Sequence, residues 1–209
     1  MNKPDLVVYG AGGHGRVVVD AALASGWTIQ SWIDDHPACS TQWDISIGAS
    51  QDVVWSTLAS HAFIVAIGDN RIRAEIFGRL CKLGLVPALV VHPSAVISRF
   101  AQVGAGTVVV AGVVVNPAAS IGEDCILNTG CSVDHDCRVG PHSHLCPGVR
   151  LAGNVNVGAS TMVGAGSVVL PGIHIGERCM IGAGTVVTKE VPDGMVAYGN
   201  PAWIVRSIE

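Results

Sequence analysis

From Ala95 the chain reads, without a gap, AVISRF (95–100), AQVGAG (101–106), TVVVAG (107–112), VVVNPA (113–118), ASIGED (119–124), CILNTG (125–130), CSVDHD (131–136), CRVGPH (137–142), SHLCPG (143–148), VRLAGN (149–154), VNVGAS (155–160), TMVGAG (161–166), SVVLPG (167–172), IHIGER (173–178), CMIGAG (179–184) and TVVTKE (185–190). The third residue of every unit is aliphatic, from Ile97 and Val103 through Val133 and Leu151 to Val187. A period of six with one aliphatic side chain per unit, small residues before it and glycine after it is what a tightly turning parallel β-helix requires. Each unit supplies a short strand and a corner, and three units close one triangular coil. Glycine or asparagine relieves corners that need positive φ. Sixteen units make about five coils, and at about 4.8 Å per coil the prism is roughly 25 Å long.

The rest of the composition agrees with a narrow interior. All five tryptophans (Trp27, Trp32, Trp43, Trp55 and Trp203) and both tyrosines, Tyr9 and Tyr198, lie outside the units. With 49% hydrophobic and 13% charged residues, the chain has enough apolar surface to offset its ordering entropy, which excludes a disordered protein. A net charge of -4 disfavours nucleic acid as a partner. Leu6 to Tyr9 is too short and too soon interrupted by glycine for a signal peptide or membrane insertion, so a soluble, cytoplasmic protein is expected. Seven cysteines without a CxxC pair read as reduced thiols, mostly in the core.

Residues 1–92 differ in kind. Leu6-Val7-Val8-Tyr9 reads as a strand, Gly10 to Gly15 as a glycine-rich turn, and Arg16 to Ser25 as a helix with Val17, Val18, Ala21 and Ala22 inward. Ile29 to Ile33 is a second strand ending at Asp34-Asp35. A short helix over 51–58 precedes a third strand, Ala62 to Ile67, and then a helix from Arg71 to Leu83 with Ile72, Ile76 and Leu80 four apart. Val86 to Val91 is expected to close this small Rossmann-like α/β domain, with His92-Pro93 as the boundary. The expected organisation is therefore 1–92, a β-helix over 93–190, and a tail over 191–209.

Three places carry potential chemistry. Gly10, Gly12 and Gly15 match G-x-G-x-x-G between strand and helix, and Asp34 follows at the end of the next strand. The unit is too small for a dinucleotide fold with two halves, so a nicotinamide cofactor is set aside, but backbone amides at that helix start suit a diphosphate. Gly68-Asp69-Asn70-Arg71 ends the third strand on the same edge and can meet the same ligand. The second place is Asp134-His135-Asp136. Alternation leaves Asp134 outward and His135 near a corner, where an imidazole beside carboxylates suits a general base with Asp136 as its partner. His142 and His144 lie nearby in sequence, but the set has no established metal-ligand signature, and no metal is expected. The third place is Leu151-Ala152-Gly153-Asn154, where the Gly153 amide can act as an oxyanion donor or simply turn a corner.

Taken together, VVYGAGGHGRVVVD (7–20), IDD (33–35), VAIGDNRIR (65–73), HPSAVIS (92–98), the segment from Ile126 to Gly158 and GNPAWIVR (199–206) resemble one acyltransferase family along essentially the whole chain. It comprises sialic-acid O-acetyltransferases and bacterial N-acetyltransferases of nucleotide-linked 4-amino sugars of the bacillosamine-pathway type. The resemblance implies a left-handed β-helix, a homotrimer with acetyl-CoA between neighbouring prisms, and a nucleotide-linked amino sugar held by the N-terminal domain. By matching positions it assigns the catalytic base to His135 and its orienting acid to Asp136, where the bacillosamine-pathway enzyme has glutamate. It further implies that Asn128 orders the site, that His144 and Gly153 lie by the acetyl group and pantetheine, and that Gly12, Gly13, His14, Asp34 and Asp35 line the sugar-nucleotide pocket, to which Gly10, Gly68 and Asn70 also belong by position. The tail would finish the coenzyme groove. The expected reaction is direct acetyl transfer to a sugar C4 amine. O-acetylation of sialic acid or a related hydroxyl, and a noncatalytic nucleotide-sugar-binding scaffold, remain as alternatives. A serine elbow is missing, and Cys131 and Cys137 read as buried packing residues.

Overall fold

In a computed structural model, residues 5–208 are described. The N-terminal part is a sheet of order β3-β4-β2-β1-β5-β6. Its strands are β1 (Asp5–Tyr9), β2 (Thr28–Asp34), β3 (Thr41–Gln42), β4 (Ile45–Ala49), β5 (Ala62–Val65) and β6 (Val86–Pro87), with helices α1 (Gly13–Ala24) and α2 (Asn70–Lys82). Only β3 and β4 pair antiparallel, turning through Trp43 and Asp44 at φ 52° and 61°, the backbone a tight two-residue hairpin turn demands. The expected helix over 51–58 is instead two 3₁₀ turns, Ser50–Asp52 and Trp55–Leu58.

Both helices rotate slightly from the expected faces. In α1 the buried set is Val18, Val19, Ala21 and Ala22, while Val17 is exposed. In α2 the buried set is Asn70, Arg73, Ile76, Phe77 and Leu80, and Ile72 faces solvent. Asp69 caps α2 by accepting from Ile72 N at 2.9 Å, which satisfies one otherwise unpaired donor of the first turn.

From Val90 onward the chain forms a left-handed β-helix whose strands occupy positions two and three of each hexad. Pairing joins residues 18 apart, as in Val109 to Leu127 and Leu127 to Leu145. Face one runs from Val90–Val91 through Ile126–Leu127 and His144–Leu145 to Trp203–Ser207. Face two runs from Val96–Ile97 to Val186–Val187, and face three from Gln102–Val103 to His174–Ile175. From Val109 to Val187 every third-position side chain is buried; Ile97 and Val103, at the open end, are partly covered. The segment expected to close the small domain divides: Val86–Pro87 pairs with β5, whereas Val90–Val91 pairs with Val108–Val109 in the prism. The segment thus serves both sheets. The α1 stripe accordingly packs in one cluster with Leu6 and Val8 of β1 and with Val90, Val108 and Val110 of face one.

The three corners differ, a period of 18 that the hexads conceal. Between faces one and two the sixth residue is always glycine, from Gly112 to Gly184, each at positive φ. Between faces three and one the fourth residue is always glycine, from Gly104 to Gly176. A Cβ there would lie within about 2.6 Å of backbone atoms one coil along, too close for any side chain. The corner between faces two and three keeps neither rule, and it carries Asp134-His135-Asp136.

Candidate active site

At the two–three corner, His135 Nδ1 donates to Asp136 Oδ2 at 2.8 Å. Asp136 occupies the sixth position at φ 60°, a conformation aspartate tolerates better than most residues, and this brings its short carboxylate beside the preceding ring. The bond and the neighbouring carboxylates raise the His135 pKa above the ordinary imidazole value, Asp136 being the main cause. Asp134 accepts from His135 N at 2.8 Å and Asn116 Nδ2 at 2.9 Å, and these bonds lower its pKa. With Nδ1 committed as donor, Nε2 carries the lone pair. The ring, 61% exposed, lies over Gly153, where a Cβ would come within 2.6 Å of Nε2. Gly153 therefore belongs to the His135 corner for a steric reason.

Asn128 and His144 belong to another place. Asn128 Oδ1 accepts from Thr129 N at 2.8 Å, turning its amide nitrogen toward His144 Nε2 at 3.1 Å. His144 Nδ1 faces the Gly68 carbonyl at 3.4 Å; a carbonyl only accepts, so Nδ1 bears the proton and Nε2 is the acceptor. The His14 ring lies 6.1 Å from that of His144, and its Nε2 is buried with no partner among the described residues. Burial, reinforced by Arg73, brings the pKa of both imidazoles down to about 4. They are neutral hydrogen-bonding groups at pH 7, and the His144 lone pair is already engaged. Of the three, His135 alone has a basic nitrogen open to solvent.

The glycine loop divides by role. A side chain on Gly10 would strike the Ala66 carbonyl, and one on Gly15 would strike the Gly10 carbonyl, so these two let strand and helix approach. Gly12 has open space around it, and Gly13 has only Arg16 NH2, at 4.0 Å. Together they start α1 without a side-chain cap, leaving its first amides for an anion. Asp34 accepts from Ala11 N at 2.7 Å and His36 N at 2.9 Å, so it braces the loop. Asp35 accepts from Tyr9 OH and Ser50 Oγ, and Arg79 donates to Tyr9 OH at 2.7 Å. Those bonds hold the Asp35 carboxyl below its usual pKa range.

Sequence reasoning passed over Tyr9, Ser50, Arg73, Arg79, Asn116 and Asp124. Asp124 and His142 are the same corner position one coil apart, a signal available only at the 18-residue period. Buried thiols are not nucleophiles here: the Cys131 pKa is pushed up to about 12 by burial. No group of three or more potential ligand side chains gathers as a metal site among the described residues.

Residues 5–80 match the PglD N-terminal domain, and residues 154–189 match the bacterial transferase hexapeptide repeat. PerB from Caulobacter crescentus, solved with CoA and GDP-perosamine, is 38% identical with a TM-score of 0.90, and the match covers 97% of each chain. The chain belongs to this family of hexapeptide acetyltransferases. The acetyltransferase domain of PglB from Neisseria gonorrhoeae, solved with acetyl coenzyme A, is a second member, 34% identical at a TM-score of 0.89 over 97% of this chain and all of that one. UDP-N-acetylbacillosamine N-acetyltransferase of Bacillus subtilis is 33% identical over 112 residues, about half the length of that enzyme.

Proposed function

We propose that the protein transfers the acetyl group of acetyl-CoA to the C4 amine of a nucleotide-linked amino sugar. The observation that carries this is the His135–Asp136 pair, whose basic Nε2 is free at a corner cleared by Gly153. As the amine attacks the thioester carbonyl, Nε2 takes its proton, Asp136 stabilises the imidazolium, and the Gly153 N–H receives the developing oxyanion. The C–S bond then breaks, and the departing thiolate recovers the proton from His135. Gly12, Gly13 and His14, with Gly68 and Asn70, hold the nucleotide sugar, and Asp34 and Asp35 shape that pocket. The N-acetyltransferase activities named for the GDP-perosamine enzyme of Caulobacter crescentus and for the Bacillus subtilis enzyme support the amine over a hydroxyl as acceptor.

The unit of function is a homotrimer. His135 sits between faces two and three, the corner opposite face one, whereas the N-terminal domain covers face one. One chain thus holds base and sugar pocket on opposite sides. The outward residues of face two are Val96, Val114, Ser132, Arg150, Val168 and Val186, with Val96 63% exposed, while those of face three are Gln102, Ser120, Arg138, Asn156 and His174. The more apolar face suits contact with other copies. Three prisms turning face two toward a common axis bring the His135 corner of one copy to the Asn128 corner of the next. A hollow of about 730 Å³ along face three, rimmed by Phe100 and Ala118 of the His135 corner column, offers a path for the coenzyme. Seven free thiols support a cytoplasmic setting.

The test is acetyl transfer from acetyl-CoA to UDP- and GDP-linked 4-amino sugars beside free and CMP-linked sialic acids, with product analysed by mass spectrometry. Amide formation with the amino sugars is expected. Acetylation of the sialic acids alone, or nucleotide-sugar binding without transfer, would overturn the reading.

A further inference from the structure

Helix α2 lies along the three–one corner, and its pitch of about 5.4 Å nearly matches the coil spacing of about 4.8 Å. Successive turns of the helix therefore meet successive coils. Asn70 Nδ2 donates to the Ser160 carbonyl at 3.1 Å. One turn on, Arg73 NH2 donates to the His142 carbonyl at 2.7 Å and Arg73 Nε to the Asp124 carbonyl at 2.9 Å. A turn further, Phe77 fills the space that any side chain on Gly106 would take. Residues 106, 124, 142 and 160 are all sixth positions of this corner, each at positive φ.

Arg73 is the centre of that contact. Its side chain is 1% exposed beside a fully buried Asp124, with Nε 3.3 Å from Asp124 Oδ2. The same carboxylate oxygen accepts from His142 Nδ1 at 2.8 Å. The guanidinium also returns to its own strand–helix loop, donating to the Ile67 carbonyl at 3.2 Å and to Asn70 Oδ1 at 2.9 Å. It therefore ties both sides of Gly68 to the prism, and the Gly68 carbonyl faces His144 Nδ1. A planar fork reaching four acceptors at once is a task that lysine, a point charge with three donors, cannot reproduce.

We propose that Arg73 is a positioning residue: by clamping the Ile67–Asn70 loop to the Asp124–His142 corner, it holds the Gly68 carbonyl against His144 and fixes the tautomer in which His144 Nε2 accepts from Asn128. The inference rests on the proposed acetyl transfer for its kinetic consequence, but the hydrogen-bond chain Asn128–His144–Gly68–loop–Arg73 stands by itself. Without the clamp the loop is free to withdraw, and the imidazole proton is then shared between its two nitrogens.

The test pairs kinetics with nitrogen-15 spectra of histidine-labelled protein, the His144 signals being assigned by their loss in His144→Gln. Two variants are used, Arg73→Lys and the charge-neutral pair Arg73→Gln/Asp124→Asn, which leaves no unpaired buried charge if Arg73→Lys does not fold. The wild type should show a single Nδ1-protonated His144. In the folded variants that signature should give way to averaged tautomer shifts, with kcat about tenfold lower and the acetyl-CoA KM little changed. A retained wild-type signature in a folded variant overturns the proposal, as does a lost signature with wild-type kcat. A wild-type chain without acetyl transfer would instead remove the proposed function, and the spectra would still decide the clamp.

Discussion

Two histidine sites in one repeat lattice have opposite chemistry. His135 stands exposed at a corner between carboxylates, proton-accepting and raised in basicity, whereas His14 and His144 are enclosed between domain and prism, neutral and depressed. The difference arises from position and surroundings: His144 is the second residue of a face-one strand covered by the His14 ring and the Gly68 carbonyl, whereas His135 is the fifth residue of its hexad, at an exposed corner. A charged partner one residue away makes a base, while burial beside Arg73 makes a neutral hydrogen-bonding group. The division of labour in the proposed reaction follows from that contrast.

Removing the base should have the largest effect. His135→Ala is expected to lower kcat by about a thousandfold, the usual scale of a lost general base, with the melting temperature nearly unchanged because the ring is exposed. Steady-state assays beside a thermal melt check this, and a variant with wild-type turnover would end the assignment. Gly153→Ala comes next: its methyl group must displace the His135 ring, and a misplacement of this kind costs roughly a hundredfold in kcat. Melting that stays near wild type would separate this from unfolding. Asp136→Asn should lower kcat about tenfold, and its sign with pH is definite. The base works unprotonated and Asp136 raises its pKa, so the acidic limb of the pH–rate profile should move to lower pH in the variant; movement to higher pH would contradict the pairing.

A distinct effect, on stability, belongs to the buried pair. His14 and His144 titrate near 4 when folded and near 6.5 when unfolded. The unfolded chain therefore binds more protons as pH falls below 6.5, and stability drops through the window from 6.5 to 4. At pH 5 the loss is about 2 kcal/mol per histidine. Urea unfolding at pH 7 and pH 5 should show it, and His14→Gln/His144→Gln should flatten the difference. An unchanged difference would place these imidazoles in a wetter setting than the structure gives them.

The prism was legible from its third positions alone, because one aliphatic residue in every six, kept up over sixteen units, suits neither the 3.6-residue period of a helix nor the alternation of a flat strand. The glycine loop was legible as a turn before a helix, although its division into packing glycines and open ones depends on the Ala66 and Gly10 carbonyls, which no local pattern places. Helix α2 was found with Ile76 and Leu80 inward as expected, but its buried face is rotated so that Ile72 is exposed. Its Ile72, Ile76 and Leu80 spacing looks like a core stripe, yet Arg73 takes the inward place of the first turn because folding supplies it with the Asp124 carboxylate and with the Asp124 and His142 carbonyls from distant segments, besides the Ile67 carbonyl of its own loop. Pairings between residues 51 or 69 positions apart leave no periodic trace. His144 and Gly153, near one another in sequence, lie on face one and at the corner between faces two and three, because nine residues carry the chain halfway around an 18-residue coil.

In the proposed trimer, one copy's His135 serves the sugar pocket of another, and the division between the two histidine sites depends on it. Mixing two separately inactive variants, His135→Ala and a pocket variant, Gly13→Trp, through joint unfolding and reassembly tests this most directly. Random mixing in equal amounts gives each shared site a probability of about one quarter of drawing an intact half from both sides. Recovery of about a quarter of wild-type activity is expected; activity no higher than that of the separate variants would place base and pocket within a single chain and contradict the shared site.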